Sequence, residues 1–377
     1  MKPFELRNRF FDDLCARVDL MWLGQNTNHF DPHPAVRQAL IDAFDSGQFH
    51  AYAPPLGFER LRQLIREDLG LRDASVMVTD GAVQGLYSVC SRFCEPGSEF
   101  LTTDPSWAWP MSFAKRAGAT VVQMPIYSPE QGYKLTVEQL RSHVTPKTKV
   151  IYLVDPNNPL GTCHTEEEIH AFAEIAREAG AYFIHDATYF QFADEFVPVA
   201  RYYPEKTITM YSFSKWLGMA GMRLGAMVAS PETIELLADA PPNNLGSNVL
   251  SQKAAIAGLE TKSQWFPEIK KRLRRNQQRV FEAVSAVSGL DVPVYPSQAN
   301  FLIVETQGAG VAPEALVAAL QERGIMIRQG KYHTQAFGDQ FVKISLSVPE
   351  EWVEALCQAL PEAVESATQI QSVPELF

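Results

Sequence analysis

The sequence predicts an α/β protein: a three-layer sandwich around a seven-stranded, mostly parallel sheet, with a smaller α/β domain at the C-terminal end. From residue 34 to about residue 230, short β-rich runs alternate with segments of helical period, which is the pattern of βαβ units. Polar clusters stand at the ends of five of these runs. The length of 377 residues exceeds what one core usually supports, so we expect two domains.

Each predicted strand is a short apolar run that ends at a turn or a polar cluster. The strands are predicted at residues 75–78, 99–103, 120–125, 149–154, 181–185, 207–213 and 224–229. The clusters TDGAVQG, DPSWAW, DPNNPLGT, DATY and SFSK stand at the ends of the first, second, fourth, fifth and sixth of them. Because parallel strands share one carboxyl edge, we expect these loops to form one site.

The last third of the chain is predicted as the smaller domain. A helical stretch over residues 249–287 opens it, and Pro267 is expected to break or kink that helix. Further strands are predicted at residues 299–305, 325–328 and 341–346, and helices at residues 312–323 and 349–360. The predicted division is an N-terminal arm packing on the small domain (residues 1–30), a large domain (31–245) and a small domain (246–377).

The composition is that of a globular protein and argues against several classes of function. Hydrophobic residues make up 46% of the chain and charged residues 20%, which is too apolar for disorder. The net charge of -11 disfavours a nucleic-acid surface. Charges interrupt residues 1–20, so no secretory segment or membrane span is expected there. The five cysteines are scattered, and Cys90 and Cys94, four positions apart, have no second Cys/His pair at metal-site spacing, which predicts reduced thiols, no metal site and a cytoplasmic location.

Lys215 stands in the stretch YSFSKWLGMAGMRLG, where a predicted strand delivers one lysine among small hydroxyl residues and glycines. A lysine that forms a Schiff base must lose its proton, and burial or a nearby cation such as Arg223 lowers its pKa. Ser212, Ser214 and Arg223 also suit phosphate oxygens, because hydroxyls and a guanidinium fork donate hydrogen bonds to them. An imine-forming lysine beside a phosphate site indicates pyridoxal 5'-phosphate. The alternative is a surface lysine near an arginine in a glycine-rich loop.

Asp186, Tyr189 and Asn158 follow other strands and suit the same cofactor. A carboxylate at a strand end, such as Asp186, can hold a proton on a pyridine nitrogen. Tyr189 and the amide of Asn158 suit hydrogen bonds to the phenolic oxygen of the ring. The alternatives are a helix N-cap aspartate followed by a core tyrosine, and an asparagine in an ordinary turn.

The segment after the first predicted strand offers a second half of the phosphate site. Gly81, Ala82 and Val83 open a helix, and the backbone N–H groups and dipole of a helix N-terminus favour anions. Trp107 follows the second strand, where it is placed to stack on a pyridine ring. A lone tryptophan is also a common core residue, and that alternative stays open.

With these residues in place, the chain resembles the fold-type I pyridoxal-phosphate aminotransferases of class I/II, and most closely the branch with histidinol-phosphate aminotransferase and threonine-phosphate decarboxylase. The likeness covers nearly the whole chain in the family's order. It is carried by GQNTNHFDPHPAV, YAPPLGFERLR, TDGAVQGL, DPNNPLGT, DATYFQFA, SFSKWLGMAGMRLG, PSQANFLIVE and RGIMIRQG. The resemblance implies transfer of an amino group between an amino acid and a 2-oxo acid. Decarboxylation, elimination or cyclisation on the same fold is the alternative.

The resemblance also implies a role for each candidate residue. Lys215 would form the Schiff base and move the substrate proton, and Asp186 would pair with the pyridine nitrogen. Tyr189 and Asn158 would contact the 3-oxygen of the cofactor, and Trp107 would stack on its ring. The phosphate would be held by Ala82, Val83, Ser212 and Arg223.

The family pattern differs in this chain at the position that binds the substrate. Lys343, in FVKISLS, stands where the family usually has an arginine that grips the α-carboxylate as a fork, and a lysine offers only a point charge. Arg328, one strand earlier, is expected to take over that task or to bind a distal anionic group. Gly24 and Asn26 are expected near the substrate, in an N-terminal segment that closes over the site.

The expected partners are small molecules and a second copy of the chain. Tyr52, in YAPPLG, matches a tyrosine that in the family reaches the phosphate of the neighbouring subunit's cofactor, so the resemblance implies a homodimer with shared sites. A non-catalytic domain of a transcription regulator is the alternative from another class. The acidic charge and the absence of a helix-turn-helix pattern before residue 34 argue against it, and no nucleic acid is expected.

Overall fold

The computed structural model describes residues 3–239, 245–370 and 373, so the first two residues of the predicted arm lie outside it, as do residues 240–244 just before the predicted domain boundary. Within these ranges no helix is long and apolar enough to cross a membrane. The α-helices are α1 (Pro3–Ala16), α2 (Pro34–Asp45), α3 (Glu59–Leu69), α4 (Ala82–Phe93), α5 (Trp109–Arg116), α6 (Val137–His143), α7 (Glu166–Ala179), α8 (Pro231–Ala238), α9 (Val249–Glu260), α10 (Lys262–Ser285), α11 (Pro313–Glu322) and α12 (Glu350–Ala367). The strands are β1 (Met21–Trp22), β2 (Ser75–Thr79), β3 (Glu99–Asp104), β4 (Thr120–Pro125), β5 (Thr148–Val154), β6 (Tyr182–Asp186), β7 (Thr207–Ser212), β8 (Gly225–Ala229), β9 (Phe301–Glu305), β10 (Ile325–Met326), β11 (Arg328–Gln329) and β12 (Phe341–Ser345).

The large sheet has seven strands in the order β2-β8-β7-β6-β5-β3-β4. All of its strands run in one direction except β8, which is antiparallel to β2 and to β7. The predicted mostly parallel sheet is therefore confirmed. As a result, β2, β5, β6 and β7 end on the same edge, and the loops that follow them meet there.

Helices cover both faces of this sheet, and β5 shows why. Its side chains alternate between the faces, as the period of a strand requires. Val150, Tyr152 and Val154 lie in the core formed with α3 and α4, whereas Ile151 and Leu153 lie in the core formed with α6 and α7. A strand that is apolar on both sides belongs between two helical layers, which gives the three-layer sandwich.

A smaller sheet follows in the last third of the chain. β11, β12 and β9 form an antiparallel sheet in that order, and α11 contacts β11 and β12. The N-terminal segment contacts this region, because β1 pairs with β10 and the amide of Ser345 donates to the carbonyl of Leu23 at 2.7 Å. The domain boundaries themselves stay a prediction.

One predicted helix and one predicted strand are each divided into two elements in the structure. The helical stretch over residues 249–287 is interrupted at Thr261, and Pro267 lies inside α10 without breaking it. The hydroxyl of Thr261 donates to the carbonyl four residues earlier at 2.7 Å and so competes with the helical ladder. Pro267 lies near the start of α10, so its missing N–H leaves a carbonyl of the first turn without its helical hydrogen bond. The helix continues past the proline to Ser285. The strand predicted at residues 325–328 is split at Ile327, because β10 pairs with β1 and β11 with β12.

Candidate active site

A cavity of about 510 Å³ opens at the carboxyl edge of the large sheet. It brings together side chains from the N-terminal segment, the large sheet and the small sheet. The candidate residues that line it are Gly24, Asn26, Ala82, Val83, Trp107, Asn158, Asp186, Tyr189, Ser212, Lys215, Arg223, Arg328 and Lys343. Gly81 is the N-cap of α4, one residue before the lining begins, and Tyr52 does not line the cavity of its own chain and is 80% exposed.

Lys215 projects into this cavity from the turn after β7. Phe213 and Trp216 flank it and are fully buried, which anchors the turn on both sides. The Nζ atom donates to the backbone carbonyl of Gln25 at 3.0 Å. Burial and the charge of Arg223 lower the pKa of Lys215 to about 8, while the nearby carboxylate of Asp186 opposes the shift. An appreciable fraction of this side chain is therefore a free amine near neutral pH.

Arg223 lies against the N-terminus of α4. Its backbone is left-handed, with φ 52° and ψ 61°, which is uncommon for a residue with a side chain. The N-cap of α4, Gly81, has φ 79°, and a Cβ atom built there would collide with Nη2 of Arg223. Glycine at this position thus lets the guanidinium approach the helix N-terminus, where backbone N–H groups and the helix dipole already favour an anion. Ser212 and Ser214 also line the cavity.

Asp186 ends β6 with its carboxylate held in place by two hydroxyl donors. The hydroxyl of Tyr152 donates to Oδ2 at 2.9 Å, and the hydroxyl of Thr188 donates to Oδ1 at 2.6 Å. Burial raises the pKa of Asp186, whereas these hydrogen bonds favour its charged form. Thr188 thus helps to orient the carboxylate of Asp186.

Asn26 links the N-terminal segment to the cavity. Its amide nitrogen Nδ2 donates to the hydroxyl of Tyr189 at 2.9 Å, and its Oδ1 accepts from the hydroxyl of Ser345 at 3.0 Å. The side chain of Asn300 donates to its backbone carbonyl at 3.0 Å. Asn26, like Arg223, has a left-handed backbone, with φ 55°. Residues with such a strained backbone are held in place by the contacts around them, and they are often found at functional sites.

Lys343 and Arg328 reach the cavity from adjacent strands of the small sheet. They are register partners across β11 and β12, and both are buried. The Nζ atom of Lys343 donates to Oδ1 of Asn158 at 3.1 Å, which leaves the amide nitrogen of Asn158 as a donor. The guanidinium of Arg328 lies over the ring of Tyr332, 4.6 Å from its centre.

Asp155 and His164 contact each other across the loop that carries Asn158. The sequence did not predict this contact. The backbone N–H of His164 donates to Oδ1 of Asp155 at 3.1 Å, and the Nδ1 atom of the same histidine lies 2.9 Å from that oxygen. Burial alone would raise the pKa of Asp155, but the hydrogen bonds and charges of His164 and His185 hold it well below its usual range. An aspartate nine positions before a histidine is too common a pattern to have indicated this contact.

The residues in the cavity fit pyridoxal phosphate. The guanidinium of Arg223, the N–H groups that open α4 and two serine hydroxyls can all donate hydrogen bonds to a phosphate. The lack of a Cβ atom at Gly81 leaves room for the guanidinium. The carboxylate of Asp186 suits a protonated pyridine nitrogen, and Lys215 supplies the amine. Trp107 is half-buried on the cavity wall with part of its ring area available.

Comparison with known proteins points the same way. A profile of the family described as Aminotransferase class I and II matches residues 18–360. The chain is 27% identical to the histidinol-phosphate aminotransferase of Methanocaldococcus jannaschii, over 92% of this chain and 90% of that protein. It is 29% identical to the aspartate/prephenate aminotransferase of Thermus thermophilus, over 89% and 88% of the two chains. The solved structure of Thermus thermophilus aspartate aminotransferase with maleate matches with a TM-score of 0.83 and 25% identity, over 96% of this chain and 97% of that one.

Proposed function

The chain belongs to the class I and II aminotransferases, and from that premise we propose which of its residues perform the family's reaction. The enzyme uses pyridoxal phosphate and transfers an amino group between an amino acid and a 2-oxo acid. Decarboxylation, elimination or cyclisation is not favoured, since the relatives and the structure named above are aminotransferases. We assign the central role to Lys215, and the observation that supports it is an amine of lowered pKa on the wall of the cavity, electrostatically coupled to Asp186 and Arg223.

Lys215 and Asp186 would divide the proton chemistry between them. Pyridoxal phosphate, when bound, supplies an electron sink for the pair left on the substrate α-carbon. The Nζ atom of Lys215, as a free amine, would take the α-proton and later return it, which requires a group that is neutral near the working pH. The carboxylate of Asp186, oriented by Tyr152 and Thr188, would hold a proton at the ring nitrogen.

The remaining candidate residues would bind and orient the cofactor. Arg223, with the serine hydroxyls and the N–H groups that open α4, would hold its phosphate. Tyr189 and the free amide nitrogen of Asn158 would contact the 3-oxygen, and Trp107 would cover one face of the ring. The bond from Asn26 to the hydroxyl of Tyr189 supports this arrangement, because it fixes the phenol next to the N-terminal segment.

The substrate would enter on the side of Lys343 and Arg328. Both are donors, and a carboxylate or another anionic group is what such side chains bind. Gly24 belongs to the same wall, and it packs against the backbone of Ile327, where a Cβ would come within 3.1 Å. We propose that this close approach places the segment with Gly24 and Asn26 over the substrate.

The Lys215→Ala variant tests the assignment. Incubated with a panel of amino acids and no acceptor, the wild-type holoenzyme should release about one equivalent of 2-oxo acid per site and then stop until a 2-oxo acid is added. We expect Lys215→Ala to lose at least about a thousandfold in turnover while it still binds part of its cofactor. Lys147→Ala, which changes an exposed lysine at the amino-terminal edge of the sheet, should behave as the wild type.

Two outcomes would contradict the proposal. Turnover at the wild-type rate in Lys215→Ala would exclude Lys215 as the central residue. Continuous release of carbon dioxide or ammonia by the wild type without an acceptor would indicate a different reaction.

We further propose a homodimer in which Tyr52 reaches the neighbouring site. The observation that supports it is the 80% exposure of Tyr52 in a chain whose own cavity it does not line. The cytoplasmic location expected from the cysteines stays a prediction.

A further inference from the structure

His333 is a buried histidine to which the roles proposed above give no task. Its side chain is 3% exposed and lines the same cavity as Lys343 and Arg328. Neither of its ring nitrogens has a hydrogen-bond partner among the residues that the structure describes. Buried polar atoms in folded proteins are nearly always hydrogen-bonded, so an unpartnered histidine on a cavity wall points to a ligand that it contacts.

The loop that carries His333 is closely packed, which gives the ring a fixed place. The backbone N–H of His333 donates to the carbonyl of Gly330 at 2.8 Å. A Cβ atom at Gly330 would come within 2.6 Å of the carbonyl oxygen of Gly338, so two backbone segments touch where only glycine fits. The rings of His333 and Tyr332 pack edge to face, with their centres 5.1 Å apart. Side chains held in this way are pre-organised for binding.

Lys343 is the second buried nitrogen on this side of the cavity. It is 3% exposed, and its hydrogen bond goes to the neutral amide oxygen of Asn158. Among the described residues that line the cavity, Asp186 is the only carboxylate, and it already accepts from Tyr152 and Thr188. Burial and the positive charges of Arg328 and Lys215 lower the pKa of Lys343 well below its usual value, so an anionic ligand beside it would favour its protonated form.

We propose that Lys343 and His333 together hold the α-carboxylate of the substrates, an inference that rests on the aminotransferase function proposed above. An arginine fork gives a carboxylate two hydrogen bonds from one side chain, whereas an ammonium is a single point charge. In this chain the two bonds come from two elements: Nζ of Lys343 on β12, and a ring N–H of His333 in the loop after β11. Each carboxylate oxygen thereby has its own donor.

The protonation state of His333 suits this task. Burial and the positive charges of Lys343 and Arg328 lower the pKa of His333 well below its usual value, so the ring carries one N–H at neutral pH. That N–H can donate to a carboxylate oxygen, but it cannot donate to the NH₂ group of a carboxamide. The pair should therefore select acids over the corresponding amides.

Binding of amine-free acids to the holoenzyme tests the inference without turnover. The probes are propanoate, 3-phenylpropanoate and maleate, each compared with its amide by titration calorimetry. His333→Leu should weaken binding of the best acid by about ten- to a hundredfold, because a hydrogen bond to a charged group is lost, and weaken its amide much less, because the amide offers only an uncharged carbonyl as acceptor. His333→Gln should keep most of the affinity, since its amide can still donate. His170→Leu, at an exposed histidine, is the matched control.

A second substitution checks that His333 and Lys343 act as a pair. In the Lys343→Arg background a guanidinium fork supplies both bonds, so adding His333→Leu should cost less affinity than it does with lysine present. In the wild type, the ring ¹⁵N signals of His333 should shift on addition of the acid, and this measurement does not depend on whether a variant folds.

The results that would overturn the inference are distinct from those that would overturn the function. No preference of the wild type for acids over amides, wild-type acid affinity in His333→Leu, or equal losses in His333→Leu and folded His333→Gln would each exclude the pair. Absence of amino transfer in the wild type, with acid binding still dependent on His333, would remove the proposed function and leave the anion site in place.

Discussion

Lys215 reacts only as a free amine, so its pKa sets the pH range in which the apoenzyme captures its cofactor. Burial and Arg223 lower that pKa from 10.5 to about 8. Because the amine form predominates above the pKa, we expect the rate of covalent capture of pyridoxal phosphate to rise about tenfold per pH unit below that value and to level off above it. Stopped-flow absorbance of the apoenzyme from about pH 6 to about pH 10 measures this rate.

Arg223 provides the internal control for this pH profile. Its charge disfavours a second cation nearby, so Arg223→Gln should move the midpoint upward, while Lys147→Ala should leave it in place. A midpoint that does not move in Arg223→Gln would mean that burial alone sets the pKa of Lys215. A rate that does not vary with pH would contradict the assignment of Lys215 as the reacting amine.

Single residues were predictable from the sequence where they follow a strand. Lys215, Asp186 and Asn158 were placed together because parallel strands share a carboxyl edge, and all three line the cavity. From the sequence, His333 is as consistent with core or loop packing as with a place in the pocket, because it lies in an irregular loop whose path depends on glycine contacts that no periodicity reveals. The hydrogen bond between Lys343 and Asn158 joins residues 185 positions apart, and local patterns cannot indicate such a pair. The roles of all these residues stay predictions.

At the scale of elements, the N-terminus of α4 depends on one glycine. Gly81 has φ 79° and ψ 157°, a region almost restricted to glycine, and a Cβ atom there would collide with the guanidinium of Arg223. We expect Gly81→Ala to lower the free energy of unfolding by about 1–3 kcal/mol. It should also weaken binding of pyridoxal phosphate by about ten- to a hundredfold, because displacement of Arg223 removes a charge-assisted bond to the phosphate. Urea unfolding and cofactor titration of the apoenzyme measure the two effects.

Gly70→Ala separates the two effects. Gly70 ends α3 with φ 68°, but a Cβ atom there would meet nothing within 4 Å. Alanine at this position should cost about 1–2 kcal/mol of stability through its left-handed backbone and leave cofactor affinity unchanged. If Gly81→Ala binds the cofactor as tightly as Gly70→Ala does, the proposed contact between Arg223 and the phosphate is wrong.

The elements that the sequence predicts best are those with a single strong pattern. The seven strands of the large sheet are short apolar runs bounded by polar loops, and their predicted ends fall within one residue of the observed ones. The break at Thr261 was missed, because a threonine hydroxyl that competes with a helix is a weaker signal than a proline. The split at Ile327 depends on which strands β10 and β11 pair with, and that is settled by distant parts of the chain.

At the scale of the whole molecule, the site draws on three parts of the chain. Asn26 comes from the N-terminal segment, Lys215 from the large sheet and Lys343 from the small sheet. A fourth contribution is proposed to come from the second subunit. Apolar side chains are exposed close together in sequence, with Phe44 at 58%, Phe49 at 46% and Tyr52 at 80%. An exposed apolar patch of this kind is typical of an interface, and it supports a dimer formed through this surface.

Mixing two impaired variants in equal amounts tests whether the sites are shared. In a hybrid of Tyr52→Ala and Lys215→Ala subunits, one site lacks both residues, while the other takes Lys215 from one subunit and Tyr52 from its partner. If Tyr52 reaches the neighbouring cofactor, random exchange of subunits should therefore restore about a quarter of the wild-type activity, since half of the dimers are hybrids with one intact site. The measurement is turnover before and after the subunits are exchanged by mild denaturation and refolding, with sedimentation used to verify the dimer.

Two Lys215→Ala preparations treated in the same way should stay inactive. Hybrids with no more activity than Tyr52→Ala contributes by itself would mean that Tyr52 acts within its own chain or not at all.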